Sequence, residues 1–179
     1  MVPFGIVKKN MESICKEPIR RGCLSNLKSL ALHTCPSLIT VFTLGMLGNL
    51  INLKELIVED CAKIDSLISM RCSKVKSGNF LPSLKKMSLL ELPKLINISS
   101  GLCIAPKLER LVIFYCPKLE RLSTKEVSSK DMKVIKGENQ WWDSKWNDSV
   151  VSRDHQDYLA SIFVPLRRDG DLMDQLAKD

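Results

Sequence analysis

Leucine and other apolar residues recur in a fixed pattern in four ungapped segments. The segments are LKSLALHTCPSLITV from Leu27, LKELIVEDCAKIDSL from Leu53, LKKMSLLELPKLINI from Leu84 and LERLVIFYCPKLERL from Leu108. With each first leucine counted as offset 0, apolar residues occupy offsets 0, 3, 5, 8, 11 and 14. A fragment at residues 11–14 matches the end of this template, and a weaker fifth copy begins at Met132. Because the starts lie 24 to 31 residues apart, the pattern indicates a repeat protein.

The alternation at offsets 3 and 5 predicts one short strand in each repeat. Side chains such as Leu56 and Val58 then point inward, and proline at offset 9 favours a turn after three of the strands. Stacked repeats place these strands side by side, so they form a parallel sheet. The predicted fold is an α/β solenoid: a leucine-rich-repeat horseshoe with a parallel concave β-sheet and short helical or irregular convex segments.

Composition divides the chain into a repeat region and a different C-terminal part. Of the 26 leucines, 22 precede residue 123, and the net charge is +9 over residues 1–128 but −2 over residues 129–179. We therefore predict four parts. They are the end of a preceding repeat and a connection (1–26), the leucine-rich repeats (27–124), a C-terminal cap (125–166) and a mobile charged tail (167–179).

The cap contains all three tryptophans of the chain and a predicted helix over 157–164. If residues 142–146 are helical, Trp142 and Trp146 lie one turn apart and cover the end of the last repeat. An aromatic patch that binds another protein is the competing interpretation. At the other end the chain starts inside a repeat, so we expect an exposed apolar edge before Leu27 and marginal stability in isolation.

Cysteine chemistry and catalysis are both disfavoured. Cys35, Cys61 and Cys116 share offset 8, where an inward side chain bonds backbone groups of the turn, and no CxxC pair suggests zinc or a disulfide framework. Neither GxSxG nor HExxH occurs, and the acidic pair Glu59 and Asp60 points in opposite directions on a strand. We therefore predict a non-enzyme without metal or cofactor, in a reducing compartment.

The side chains at offsets 2, 4 and 6 face away from the interior and form the candidate protein-binding concave face. Its proposed residues are Ile57, Glu59, Lys86, Ser88, Leu90, Arg110, Val112, Phe114 and Tyr115. Leu90 and Phe114 occupy the same offset of consecutive repeats, so they are predicted to lie on adjacent strands as one apolar patch. The alternative is that nearby loops or another domain cover this patch.

The amino-acid sequences of the repeats resemble those of one known family. LSNLKSLALHTCPSL, NLKELIVEDCAKI, LPSLKKMSLLELPKL, APKLERLVIFYCPKLERL and the ending IKGENQWWDSKW are similar to the C-terminal leucine-rich-repeat region of plant coiled-coil nucleotide-binding leucine-rich-repeat (NB-LRR) disease resistance proteins. The resemblance covers residues 11–146. It implies a cytoplasmic immune sensor whose partners are a pathogen effector or a guarded host protein, together with the nucleotide-binding domain of the full-length receptor. No GxxxxGK[ST] loop is present, so the chain is interpreted as a receptor fragment or truncated relative.

Two other classes of protein remain open. A leucine-rich-repeat substrate adaptor of a ubiquitin ligase also favours cysteine at the turn, although this chain has no F-box. A basic solenoid that binds nucleic acid is disfavoured, because Glu55 and Glu59 interrupt the lysine positions and only 6% of residues are aromatic. No membrane span or signal peptide is predicted, since the most apolar window is interrupted by threonine, glycine and asparagine.

Overall fold

The structure, a computed structural model, describes residues 4–6, 14, 19–68, 80–98, 104–119, 131–143 and 153–177. Its strands are β1 (Phe4–Ile6), β2 (Ser29–His33), β3 (Thr40–Phe42), β4 (Glu55–Glu59), β5 (Ser66–Ile68), β6 (Lys86–Leu90), β7 (Arg110–Phe114), β8 (Val134–Gly137) and β9 (Phe163–Pro165). Its helices are α1 (Leu44–Leu47), α2 (Asn139–Asp143), α3 (Arg153–Ser161) and α4 (Leu172–Ala177).

Seven strands form one parallel sheet in the order β1-β2-β4-β6-β7-β8-β9. Offset 3 of every repeat falls on the same ladder, which runs through Leu30, Leu56, Met87, Leu111 and Ile135. This register confirms the alignment of the four repeats and of the weak fifth copy at Met132. The chain therefore has an α/β fold of the leucine-rich-repeat type. The horseshoe-shaped solenoid remains a prediction.

The main core lies behind one face of this sheet. Both inward positions of β4, Leu56 and Val58, are fully buried there, as are their counterparts in the neighbouring strands. Offset 11 adds a second buried row, which consists of Leu38, Ile64, Leu95 and Leu119. Burial of each such side chain contributes about 1.5–3 kcal/mol to the free energy of folding. The side chains pack against those of the adjacent repeats, so the repeats stabilise one another.

The segments that follow the main strands are more regular than the sequence predicts. Strands β3 and β5, at offsets 13 to 15 of the first two repeats, pair in parallel as a second sheet. Helix α1 follows β3 and is capped by Thr43, whose hydroxyl accepts a hydrogen bond of 3.3 Å from the Met46 backbone N–H. The structure thus contains a small second sheet in addition to the expected short helical or irregular segments.

A left-handed residue follows each of four main strands. Thr34, Asp60, Glu91 and Tyr115, all at offset 7, have φ between 49° and 53°. In the first three, the backbone N–H donates to the carbonyl of the last residue of the next strand, at 2.9 to 3.1 Å. The turn therefore continues the hydrogen-bonding ladder beyond the strands and joins consecutive repeats.

The cysteines at offset 8 are buried directly after this turn. The thiol of Cys61 donates to the Glu59 carbonyl at 3.2 Å, and that of Cys116 donates to the Phe114 carbonyl at 3.5 Å. Burial raises the pKa of both thiols to about 12. These contacts confirm the predicted inward, backbone-bonding role. Among the residues the structure describes, no three His, Cys, Asp or Glu side chains cluster as metal ligands.

The C-terminal part differs from the sequence prediction in two places. The helix expected over 157–164 is instead α3, which ends at Ser161, and the chain then enters β9 beside β8. Residues 172–177, expected in a mobile tail, form α4. Apolar residues at 162–164 are compatible with either helix or strand, and pairing with the open edge of β8 decides between them. The predicted domain boundaries remain predictions.

Two tryptophans close the C-terminal end of the main core. Trp141 and Trp142 are buried in it, and the Trp142 ring stacks on Phe163 with centroids 4.1 Å apart. Gly137 leaves room for the Trp141 ring, because a Cβ at this position would lie 2.9 Å from it. The predicted contribution of Trp146 lies outside the described residues.

Candidate functional site

The predicted binding residues lie in three rows on the sheet face that points away from the main core. We call this surface the outward face. Offset 2 supplies Ser29, Glu55, Lys86 and Arg110; offset 4 supplies Ala31, Ile57, Ser88, Val112 and Lys136; offset 6 supplies His33, Glu59, Leu90 and Phe114. Within each row, neighbouring strands bring successive side chains into register. The rows therefore present unlike side chains next to one another.

On β2 and β4 the outward face is partly accessible at most positions, whereas Ala31 in the middle of β2 is only 2% exposed. His33 Nδ1 lies 2.6 Å from the Glu59 carboxylate, and the Ser29 hydroxyl donates to the Glu55 carboxylate at 3.2 Å. Lys86 is exposed, while Ile57 and Ser88 are half-buried. This part of the face offers both charges and an apolar side chain to a partner.

The later strands differ from the expectation of an exposed apolar patch. Leu90 and Phe114 do pair on adjacent strands, as predicted. However, Leu90 is only 5% exposed and Val112 only 1%, and Phe114 is partly buried against them. The prediction of an open patch is wrong, because a later segment of the same chain, rather than a nearby loop or another domain, covers Leu90 and Val112. Of the proposed site residues beyond the rows, Tyr115 is exposed at the turn after β7.

The covering segment is residues 166–177, which we call the C-terminal strap. Leu166 is buried against Leu90 and Val112, and Leu172 and Leu176 of α4 pack on the same cluster. These contacts form a small second apolar cluster, separate from the main core. The chain therefore covers part of its own candidate binding face.

Two cations of the outward face bind the C-terminal end of α4. Lys136 is only 2% exposed, and its ammonium donates to the Gln175 carbonyl at 2.9 Å. The Arg110 guanidinium donates to the Leu176 carbonyl. The last carbonyls of a helix lack intrahelical partners and carry the negative end of its dipole, so this placement is favourable.

Glu138 directly follows β8, links the turn after β7 to the strap, and is not among the residues predicted from the sequence. It is 7% exposed and accepts hydrogen bonds from the Tyr115 backbone N–H, at 2.9 Å, and from the Arg168 side chain. This interaction with Glu138 raises the pKa of Arg168, whose guanidinium also lies 5.1 Å from the Tyr115 ring centre. Glu138 and Lys136 occupy outward offsets of the fifth repeat, which was the signal available in the sequence.

A row of alternating charge runs along offset 1 of the later repeats. Glu109 lies between Lys85 and Lys133, with oxygen–nitrogen distances of 2.6 and 2.7 Å. Hydrogen bonds from Lys133 and Lys85 lower the pKa of Glu109 to about 2. The acid interrupts the basic side chains of this row, so the row offers no continuous phosphate-binding stripe.

A pocket of about 410 Å³ lies beside the ends of β7 and β8. Tyr115, Cys116, Glu138, Trp141 and Arg168 are among its lining residues. The Glu138 carboxylate binds Arg168 and the Tyr115 backbone, and the Cys116 thiol has a raised pKa. The arrangement fits a structural junction between the turn and the strap.

Comparisons with known proteins identify the family of the repeat region. The family model described as plant disease resistance protein RPS2-like, leucine-rich repeats, matches residues 4–136. Disease resistance protein At4g27190 of Arabidopsis thaliana is 28% identical over 145 residues, which are 80% of this chain and 14% of that protein. No solved structure matches the chain. None of the helices in the described ranges is long and apolar enough to cross a bilayer. The match over most of the chain shows that it belongs to the leucine-rich-repeat family of plant RPS2-like disease resistance proteins.

Proposed function

We propose that this chain is a protein-recognition and autoregulatory leucine-rich-repeat module of an intracellular plant immune receptor. In this role it acts in the cytoplasm and performs no catalysis. Its partners are a pathogen effector or a guarded host protein, and the nucleotide-binding domain of the full-length receptor. Because the chain spans 14% of the length of its curated relative, these roles concern a larger protein.

The observation that carries the proposal is the in-register outward face of the parallel sheet. In the register of β4 and β6, Glu55 lies beside Lys86 and Ile57 lies beside Ser88. Acidic, basic, apolar and polar side chains therefore adjoin on neighbouring strands. Such a surface recognises a partner by electrostatic and shape complementarity, and loss of one charged contact weakens a specific complex. Family membership supports the same role and favours it over a ubiquitin-ligase adaptor.

A charge reversal on the accessible part of the face tests the proposal. In the full-length receptor, Lys86→Glu should change the cell-death response, either by losing the triggered response or by causing activity without a trigger. Lys86 is exposed and outside the main core, so receptor abundance should stay within about twofold of the wild type. Abundance is measured by immunoblot and the response by ion leakage.

Lys118→Glu is the matched control, because Lys118 is also exposed but lies beyond the turn that follows β7. It introduces the same charge change away from the outward face. An unchanged response in Lys86→Glu, or the same change in both variants, would contradict the proposed recognition surface.

A further inference from the structure

The C-terminal strap occupies the outward face in the manner of a bound ligand. Its three leucines enter the cluster around Leu90 and Val112, while its polar backbone end meets Lys136 and Arg110. An apolar anchor combined with fixed polar contacts is the usual composition of a peptide-binding groove. The occupied surface therefore has the features of a recognition site.

The strap has internal hydrogen bonds of its own, in addition to the bond of 2.7 Å that the Leu166 N–H donates to the Gly137 carbonyl of β8. The Asp171 carboxylate caps α4 by accepting from the backbone N–H of Met173 at 2.8 Å. The Gln175 side chain donates to the Arg167 carbonyl at 3.0 Å and accepts from the Arg167 N–H at 2.7 Å. These bonds fold the strap back on itself without using the sheet.

The contact between strap and sheet is much smaller than the main core. Helix α4 has six residues, too few to be stable alone, and Leu166 is the one buried side chain of the strap. A segment with few buried contacts opens locally at a lower free energy than the whole fold. Release of the strap therefore leaves the main core in place and exposes Leu90, Val112 and Lys136.

We propose that the outward face around Leu90, Val112 and Phe114 is a helix-binding site for which the strap is an internal competitor. The partner is an amphipathic helix with two leucines four residues apart, and its C-terminal end meets Arg110 and Lys136. The seating of Leu172, Leu176 and the last carbonyls of α4 defines this chemistry. The inference rests on the proposed recognition function and adds how the site is kept closed.

Acetylation of Lys136 reports directly whether the site is open. In the full chain, Leu172→Ser/Leu176→Ser removes both leucines of α4, whereas Met173→Ser/Ala177→Ser changes two exposed residues of the same helix. The first variant should raise the acetylation rate of Lys136 at least about tenfold, the factor equal to about 1.4 kcal/mol of lost contact. Lys133, whose side chain is 71% exposed, is the internal standard in each sample.

Acetylation of Lys136 in the wild type at a rate close to that of Lys133 would overturn the proposal, because the site would already be open. An equal rise in both double variants would also overturn it, since the effect would not depend on the leucines. Circular dichroism establishes that each variant retains the sheet, and Leu172→Ala/Leu176→Ala is the milder replacement if the serine variant loses it.

Binding of a separate helix tests the competitor role. A fluorescent peptide of residues 166–177 should bind the Leu172→Ser/Leu176→Ser chain at least about tenfold more tightly than the wild type, because a closed site lowers apparent affinity by its open fraction. Adding Arg110→Gln to that variant should lower its affinity for the peptide again. Equal affinity for both chains, or no binding to either, would overturn the helix-binding site.

These outcomes are independent of the immune response. If the peptide binds the opened site but Lys86→Glu leaves the cell-death response unchanged, the proposed receptor function fails and the helix-binding site stands. If the response changes but the opened site binds no helix, the helix-binding site fails and the proposed receptor function stands.

Discussion

The residue that follows each of four main strands combines a strained backbone with a backbone hydrogen bond to a neighbouring repeat. Thr34 and Tyr115 have φ near 50°, although neither is glycine or asparagine. A left-handed conformation costs about 1–2 kcal/mol for most residues, and asparagine tolerates it better. The turn is retained because the Thr34 N–H bonds the Glu59 carbonyl at 3.0 Å and joins two repeats.

Thr34→Asn should therefore stabilise the chain by about 0.5–1 kcal/mol. Thr34 is exposed, so the substitution relieves backbone strain without removing buried contacts. Urea unfolding followed by circular dichroism measures the change. Thr34→Val keeps the branched Cβ and serves as the control without a gain. Destabilisation by asparagine would show that the threonine side chain contributes more than the strain costs.

At the scale of strands, Glu109 links three repeats by charge. Its carboxylate contacts lysines on both sides, and its pKa of about 2 lies below the ordinary value of 4.5. A carboxyl whose pKa falls on folding stabilises the folded state above its unfolded pKa. That contribution is fully present above pH 4.5 and is lost as pH falls towards 2.

Glu109→Gln should remove this dependence on pH. The variant should be less stable than the wild type at pH 6, and the difference should shrink as the pH falls towards 2. Unfolding midpoints in urea at several pH values provide the comparison. Because Lys85 and Lys133 are well exposed, added salt should also reduce the difference at pH 6. A difference that is constant from pH 6 to 2 would contradict the assigned ion pairs.

The main strands could be predicted from the sequence because their signal is local and repeated. Offsets 3 and 5 alternate four times, so the inward face of β4 and the pairing of Leu90 with Phe114 follow from one template. The segment that forms β9 occurs once and lacks this repetition. Its strand conformation depends on hydrogen bonds with β8, which is about 30 residues earlier in the chain.

At the scale of the whole molecule, the covering of the outward face could not be predicted from local pattern. Alternation establishes that Leu90 and Val112 point away from the main core, but their burial depends on Leu166 and the strap, more than 50 residues later. Orientation is a property of one strand, whereas burial depends on all the elements that pack on it. The sequence therefore predicted the positions of the candidate site but not its accessibility.

The repeats and the C-terminal cap should unfold as one unit, because they share the main core. Trp141 and Trp142 belong to the same buried cluster as Leu111 in β7, and stacked repeats depend on their nearest neighbours. All tryptophans lie between residues 141 and 146, so tryptophan fluorescence reports on the cap, whereas far-ultraviolet circular dichroism reports on the whole sheet.

Leu111→Ala should therefore lower the thermal midpoint seen by both probes by the same amount. Leu111 is fully buried in the middle of the repeats, so its truncation should cost about 2–5 kcal/mol, or about 4–20 °C for a chain of this size. Ile51→Ala removes a similar side chain from a position that is 48% exposed, and it should shift neither midpoint by more than about 2 °C. Coincident wild-type transitions that move together in Leu111→Ala would establish that the tryptophan cap and the sheet share one cooperative core. A fluorescence midpoint that stays in place while the dichroism midpoint falls would separate the cap from the repeats.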